Sequence, residues 1–315
     1  MMQIIPALVL DAIIGDPKGF FHPVALVGKI ISFWEGLLYS ERDGKGRGVF
    51  FCALVLLTTA AVVSLLLFAA WLLGKWVLAA AEIYLLYSAI AFRSLKDEST
   101  PVAEFLVNGN MRAARLHLSY IVGRDTADLT EKEIVRATVE TIAEGYIDGI
   151  ASTLFYMLLG AFIGQAALFA WIYKAINTMD SMVGYDNERY HDFGWAAAKL
   201  DDAANFIPAR IGAAIAIAAG FFSGFDAHEG LRVFLRDRLL HKSPNSAHAE
   251  SVFAGLLGIA LGGGATYDGE FEPRPWLGDP RREPEVFDIL RAQKIMTVST
   301  AIWSLAILAA ELALI

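Results

Sequence analysis

"GVFFCALVLLTTAAVVSLLLFAAWLLG", Gly48 to Gly74, carries no charged side chain. A helix that crosses the hydrocarbon core of a bilayer needs roughly 20 apolar residues. This stretch exceeds that, so it predicts a membrane-spanning helix. After Lys75 comes "WVLAAAEIYLLYSAIAF" (76–92), apolar except for Glu82. It reads as the second arm of a helical hairpin, with Glu82 facing a partner helix or snorkelling to the interface. Shorter uncharged runs at 149–173, 211–225, 251–267 and 295–310 bring the expectation to about four to six membrane-embedded helices.

Composition agrees. The chain has 315 residues, 56% of them hydrophobic and 19% charged, and its mean hydropathy is +0.48. That is too apolar for an ordinary soluble domain. The 26 basic and 34 acidic residues leave a net charge of -8, which argues against a nucleic-acid partner and tolerates a cation-bound substrate. Cys52 is the single cysteine; it has no intrachain partner and reads as a small core residue. "MMQIIPALVLDAIIGDP" lacks a basic start and meets Asp11 early, unlike a cleaved signal.

Cations occur in almost every connection, among them Arg42, Lys45 and Arg47, then Arg93 and Lys96, and later Arg232, Arg236 and Arg238. The tight turn at Gly74 and Lys75 is the exception. The positive-inside rule therefore puts that turn outside and the polar bulk in the cytoplasm. A single crossing by 149–173 would split the acidic segments on either side of it. Gly160 and Gly164 sit near its middle, so "LFYMLLGAFIG" and "QAALFAWIY" are expected to enter and return as a re-entrant hairpin. The polar connections also read as helical. Thr100 and Pro101 form a helix start with Gly109 as the stop, and Thr130 and Glu133 have capping-box spacing. Strand signals and internal repeats are nearly absent. The fold class is all-α: a polytopic integral membrane helical protein, one domain over 1–315, with polar cytoplasmic helical insertions.

Two groups of acids carry the functional reading. Glu133, Glu140, Glu144 and Asp148 are spaced by seven, four and four residues, so they share a helix face, with Arg136 beside it. Taken alone, that pattern fits a solvated stripe on an amphipathic helix. Between Asn177 and Arg210 lie six carboxylates and three cations. Asn177 and Asp180 stand one turn apart where a membrane helix leaves the bilayer. Asp201 and Asp202 precede Asn205 by one turn, before Pro208 ends or kinks the helix. Such oxygen ligands suit Mg²⁺, which proteins hold with one or two carboxylates plus substrate phosphates. Asp180, Asp201 and Asp202 are thus the candidate metal ligands; ion pairing with Arg189, Lys199 and Arg210 is the competing explanation.

Further segments can bind phosphate. Arg124 and Asp125 precede the helix capped at Thr130. Ser243 and Pro244 read as a helix start, with Asn245, Ser246, His248 and Glu250 following. Asp16 and His22 lie before a helix opening at Pro23, where turn and capping chemistry explains them. There is no Walker A pattern, no HExxH and no CxxC, so ATP would need another cradle.

The order "GDPKGFFHP", "VGRDT", "VETIAEGYIDG", "YKAINTMDSMVGY", "FGWAAAKLDDAANFIPAR", "SPNSAHAE" and "WLGD" resembles the CobD/CbiB family of cobalamin biosynthesis proteins over nearly the whole chain. The chain departs from the family pattern at Gly145, Ser152, Thr153, Ala247 and Ala249. The resemblance implies a multi-pass enzyme of the cell membrane, an adenosylcobinamide-phosphate synthase-like ligase with its active site facing the cytoplasm. The implied reaction uses ATP and Mg²⁺ to join the corrinoid adenosylcobyric acid to 1-aminopropan-2-ol or its O-phosphate. Other membrane enzymes of late cobalamin assembly are the implied partners. On that basis Asp180, Asp201 and Asp202 would hold Mg²⁺ on ATP with Asn177 and Asn205 assisting, Arg124 and Arg210 would clamp phosphate, and Glu140 or Glu144 would take the amine proton. A Mg²⁺-dependent membrane prenyl or phosphoryl transferase is the alternative. A transporter ranks last, because the acids cluster at helix ends rather than mid-span.

Overall fold

The computed structural model describes residues 3–16, 22–40 and 44–313; Arg42 and the Pro17–Phe21 part of "GDPKGFFHP" lie outside them. The described chain is almost wholly helical, in order α1 (Ile4–Ile14), α2 (Pro23–Leu38), α3 (Lys45–Leu73), α4 (Lys75–Tyr87), α5 (Phe92–Val107), α6 (Met111–Leu118) and α7 (Glu131–Gly145). A π-helical turn (Tyr146–Ala151) follows, then α8 (Ser152–Ala161), α9 (Ala166–Val183), α10 (Trp195–Phe222), α11 (Ala227–Asp237), α12 (Ser246–Leu257) and α13 (Phe287–Ala313). Four helical stretches are long and apolar enough to cross a membrane: Lys45–Leu73, Lys75–Val107, Trp195–Phe222 and Phe287–Ala313. The protein is therefore a polytopic helical membrane protein. The chain divides into two compact units, one comprising 1–91, 152–205 and 304–315, the other 92–151 and 206–303.

In the first unit α3 packs against α2, α4 and α9. Its inward face buries Phe51, Cys52, Val55 and Val63, while Leu57, Leu65, Phe68, Trp71 and Leu72 stay more than half exposed. A helix with large apolar side chains on its outer face is suited to lipid rather than water. α3 stops at Gly74, whose φ of 118° ends the helix, and α4 begins at once. The second arm is interrupted: α4 ends at Tyr87, and residues 88–91 break the helix, though not the apolar run, before α5. α4 alone is about 20 Å long, so a crossing of the roughly 30 Å hydrocarbon core by Lys75–Val107 takes in the residues after it. Half-buried Glu82 lies on it. His22 caps α2, its Nδ1 accepting from Val24 N at 3.3 Å while Nε2 lies 3.1 Å from Asp16, which is the capping chemistry expected there.

The expected hairpin is present. α8 and α9 pack on each other across a turn at 162–165. Gly164 takes a φ of 70°, and a Cβ on Gly160 would lie 2.6 Å from the Gln165 carbonyl. Glycine at both places permits the reversal. With ten residues, α8 reaches only about 15 Å.

α10 runs unbroken through Pro208, so the proline does not end the helix. Proline removes the N–H that would bond the carbonyl four residues back, which is that of Ala204. The Tyr156 hydroxyl donates to this carbonyl at 3.0 Å, supplying the missing donor. The run 211–225 is thereby the continuation of α10 rather than a separate element.

The second unit packs α7 against α5, α6 and α12, and α12 against α11. The reading of Thr100 and Pro101 as a helix start is corrected: α5 opens at Phe92 and carries Pro101 internally. The segment 92–99 is rich in good helix formers, and Thr100 Oγ1 bonds back to Lys96 O at 2.7 Å instead of capping. Gly109, at φ 68°, does stop the helix. The capping box at α7 forms as read, with Thr130 and Glu133 bonded reciprocally. The run 251–267 divides: α12 starts at Ser246, not at Ser243, and is followed by two short antiparallel ladders, Leu261–Gly262 with Trp276–Leu277 and Ala265–Tyr267 with Glu270–Glu272. Asp268 and Gly269 turn the second ladder with φ of 50° and 83°, the positive-φ pair that a two-residue hairpin loop needs.

Candidate functional site

The first unit assembles Asn177, Asp201 and Asn205. Asn205 is buried. Its Oδ1 accepts from Ser152 Oγ at 2.6 Å and from the Tyr173 hydroxyl at 3.0 Å. Those two donors leave its amide N–H pointing at Asp201 Oδ2, 2.9 Å away. Asn177 Nδ2 lies 3.5 Å from the other Asp201 oxygen. Asn205 is thus a positioning residue for Asp201, and Ser152, one of the departures from the family pattern, is one of the groups that orient it. Asp180 sits one turn beyond Asn177, with its carboxylate against the Cα of Gly184, where any Cβ would overlap it. Asp202 pairs with Lys199 at 2.9 Å. Arg189 pairs with Glu35 at 2.8 Å, and His191 with Asp186 at 2.6 Å. Part of the charge between Asn177 and Arg210 is therefore structural.

Among the described residues no three His, Cys, Asp or Glu side chains converge as a closed metal site. Asp180, Asp201 and Asp202 are not a preassembled cage. What is assembled still fits Mg²⁺: a carboxylate oriented by two amides matches an ion that takes one or two protein carboxylates and completes its shell with phosphate oxygens and water.

The second unit gathers a denser group. Glu140 is not on a solvated stripe; it is buried, ion-paired with Arg124 at 2.7 Å, and accepts from Gly262 N at 2.6 Å. The π turn after Gly145 widens the helix, so Asp148 leaves the α spacing that Glu140 and Glu144 keep. At Gly145 the Leu95 side chain occupies the space a Cβ would need. Glu250, on α12, is buried and lies 3.4 Å from His241 Nε2. Burial, then the charges of Glu140 and Glu144, push the Glu250 carboxyl well above the usual range, against the pull of Arg274 and Arg124. Burial, then Arg274, push His241 down. Both shifts favour the neutral forms of His241 and Glu250. Glu144 keeps solvent access although protein surrounds it closely enough that burial pushes its carboxyl up.

The remaining sites sort plainly. Asp125 accepts from Gly269 N at 2.9 Å and fixes the Asp268–Gly269 hairpin. Arg210 Nη1 donates to Asn245 Oδ1 at 3.3 Å, which joins two residues read separately. Asn245 is the N-cap of α12 and Ser246 its first residue. Asp279 of "WLGD" pairs with Arg232 and Arg236 and braces α11. Sequence reading missed His241 and Arg274, which stand alone in polar loops without motif spacing. "YDGE" at 267–270 did carry a hairpin signal.

A membrane protein that gathers glutamates, arginines and a histidine with perturbed acidities into one group carries the charge pattern of a functional site rather than of a lipid-facing scaffold. The CobD/Cbib protein family model matches residues 4–296. The chain is 41% identical over 304 residues to "Cobalamin biosynthesis protein CobD" of Pelobacter propionicus, covering 95% of this chain and 93% of the relative. It is 41% identical over 298 residues to the protein of that name from Clostridium perfringens, with 94% and 93% covered, and 42% over 286 residues to that of Clostridium tetani, with 89% and 87% covered. The chain belongs to the CobD/CbiB family. No solved structure matches it.

Proposed function

We propose that the protein acts in cobalamin biosynthesis as the ligase that joins the propionate carboxylate of adenosylcobyric acid to the amine of 1-aminopropan-2-ol or its O-phosphate. The observation that carries this reading is Glu144, with its raised carboxyl, one turn from the locked Arg124–Glu140 pair. Amide formation needs two things. The carboxylate must be activated, because its charge repels a nucleophile; attack of its oxygen on a phosphorus of ATP gives an acyl phosphate or acyl adenylate and releases ADP or pyrophosphate. The amine, protonated at neutral pH, must lose a proton before it attacks the acyl carbon and expels phosphate or AMP.

Glu144 is the proton acceptor, since a raised carboxyl with solvent access is a stronger base than an ordinary one. Glu140 is committed to Arg124 and Gly262 N, so its part is to hold Arg124 near Glu144. In the first unit Asp201, oriented by Asn177 and Asn205, is the principal ligand for Mg²⁺, with Asp180 and Asp202 adding negative charge. When bound, the ion neutralises charge on the phosphate oxygens. Arg210, Asn245 and Ser246 serve phosphate. The chemistry takes place on the cytoplasmic side, where ATP is available, in keeping with the many cations in the polar connections.

The test is incubation of the purified protein with adenosylcobyric acid, aminopropanol phosphate, ATP and Mg²⁺, followed by mass analysis of the corrinoid. The expected result is a corrinoid heavier by the amine less one water, dependent on ATP. An unchanged corrinoid, or turnover of an isoprenyl diphosphate without ATP, overturns the proposal.

A further inference from the structure

We propose that the N-terminus of α12, together with Arg210, Arg238 and His248, forms a binding site for a single phosphate group. α12 has twelve residues, and its N-cap Asn245 makes no side-chain bond to the first turn. The N–H groups of Ser246 and Ala247 have no carbonyl partner within the helix and carry the positive end of its dipole. By itself that is true of many helices.

Three further observations point to a ligand. Arg210 and Arg238 are close enough to repel each other. Neither forms an ion pair with a carboxylate among the described residues: Arg210 donates to the Phe206 carbonyl and to Asn245 Oδ1 and lies over the Phe206 ring, and Arg238 lies 5.5 Å from the centre of the Phe234 ring with its Nε buried and unbonded. His248, in the first turn of α12, is 0% exposed; its ring nitrogens make no hydrogen bond to another side chain, and only the Asn245 backbone comes near them. Its ring meets the edge of Phe234 at 5.5 Å, the same ring that Arg238 covers. Burial, then the charges of Arg210 and Arg238, push His248 down to about 4, so without a ligand the imidazole is neutral.

Two like charges without a counter-ion, and a buried imidazole with no side-chain partner and only a marginal approach to the Asn245 backbone, are both unfavourable unless something arrives to satisfy them. An anion does so. A phosphate has three terminal oxygens, enough for two guanidiniums, a ring N–H and two backbone N–H groups at once, whereas a carboxylate has only two. The proposal rests on the preceding functional reading for the source of that phosphate, which is either the phosphomonoester of the amine substrate or a phosphate of the nucleotide.

Calorimetric titration of the purified full chain in detergent with inorganic phosphate, using chloride as control, tests the site without corrinoid. Saturable binding is expected, weakened about tenfold or more in Arg238→Gln, as loss of a charge-assisted hydrogen bond implies, and less in Arg238→Lys. Nitrogen-resolved NMR of the histidines adds a second readout: phosphate should raise the pKa of His248, a response absent from His248→Gln. Absence of saturable binding, or equal affinity in wild type and Arg238→Gln, overturns the proposal. Displacement of bound phosphate by aminopropanol phosphate but not ADP assigns the amine as source, and the converse assigns the nucleotide; displacement by neither overturns a substrate role. Phosphate binding without amide product would count against the ligase reaction and leave this site standing.

Discussion

The two polar groups treat acids in opposite ways. In the first unit Asp201 is surrounded by neutral donors, the amides of Asn177 and Asn205, with Ser152 and Tyr173 fixing the second amide. In the second unit Glu144 and Glu250 stand in protein of low polarity beside Glu140, and burial with like charge favours their protonated forms. One group orients a carboxylate with amide donors, and the other favours carboxyls that hold their protons. A hydroxyl or amide at the neighbouring position, rather than the acid itself, decides which.

The comparison is broken most severely at Asp201. Asp201→Asn should lower amide formation by roughly 10²–10³-fold, the scale for removing a group that stabilises transferring charge, while membrane insertion and thermal unfolding stay near wild type; near-normal turnover would remove Asp201 from the site. Glu144→Gln should lower the rate by about 10²-fold. A base must be deprotonated to act, so wild-type rate should fall as pH drops through the raised Glu144 pKa, above the usual carboxylate range, and this acid limb should vanish in the variant. An unchanged pH profile would move the base elsewhere.

Smaller effects sharpen the contrast. The folded-state pKa of Glu250 lies above its unfolded value, so the folded chain holds the proton more tightly. Its stabilising contribution is complete below the unfolded pKa and is lost as pH rises through the folded one. Glu250→Gln, which keeps a neutral side chain at every pH, should therefore raise the unfolding temperature at pH 8 by about 2–4 °C, the scale of 1 kcal/mol in a protein of this size, and by less at pH 5. Equal shifts at both pH values would mean the carboxyl is charged in the folded state. Tyr156→Phe should cost least, about 1 kcal/mol for one hydrogen bond to the Ala204 carbonyl, read as a lower unfolding temperature; no change would mean another donor serves the carbonyl that Pro208 leaves free.

How much of this was legible follows from which signals are local. The capping box at Thr130, the stop at Gly109, the turn at Gly74 and the hairpin at Gly160–Gly164 are short-range and were readable. The start of α5 was misread because Pro101 looks like a first-turn residue, whereas here it is tolerated inside a helix that packs against α6 and α7. The burial of Glu140 was misread because helix periodicity says which residues share a face and not what covers that face. His241 and Arg274 had no signal at all, since only the folded chain brings them to Glu250.

By itself the sequence determined the solvent and the class of structure: uncharged runs such as 48–74 cannot be placed in water, and a backbone in lipid must bond to itself as helix. It also determined the inventory of acids, amides and cations, and the motif order that marks the family. Tertiary structure alone decided which carboxylates are buried and what surrounds them. A side chain's protonation depends on the dielectric and partners around it, and those come from residues as distant in the chain as Glu140 and Gly262.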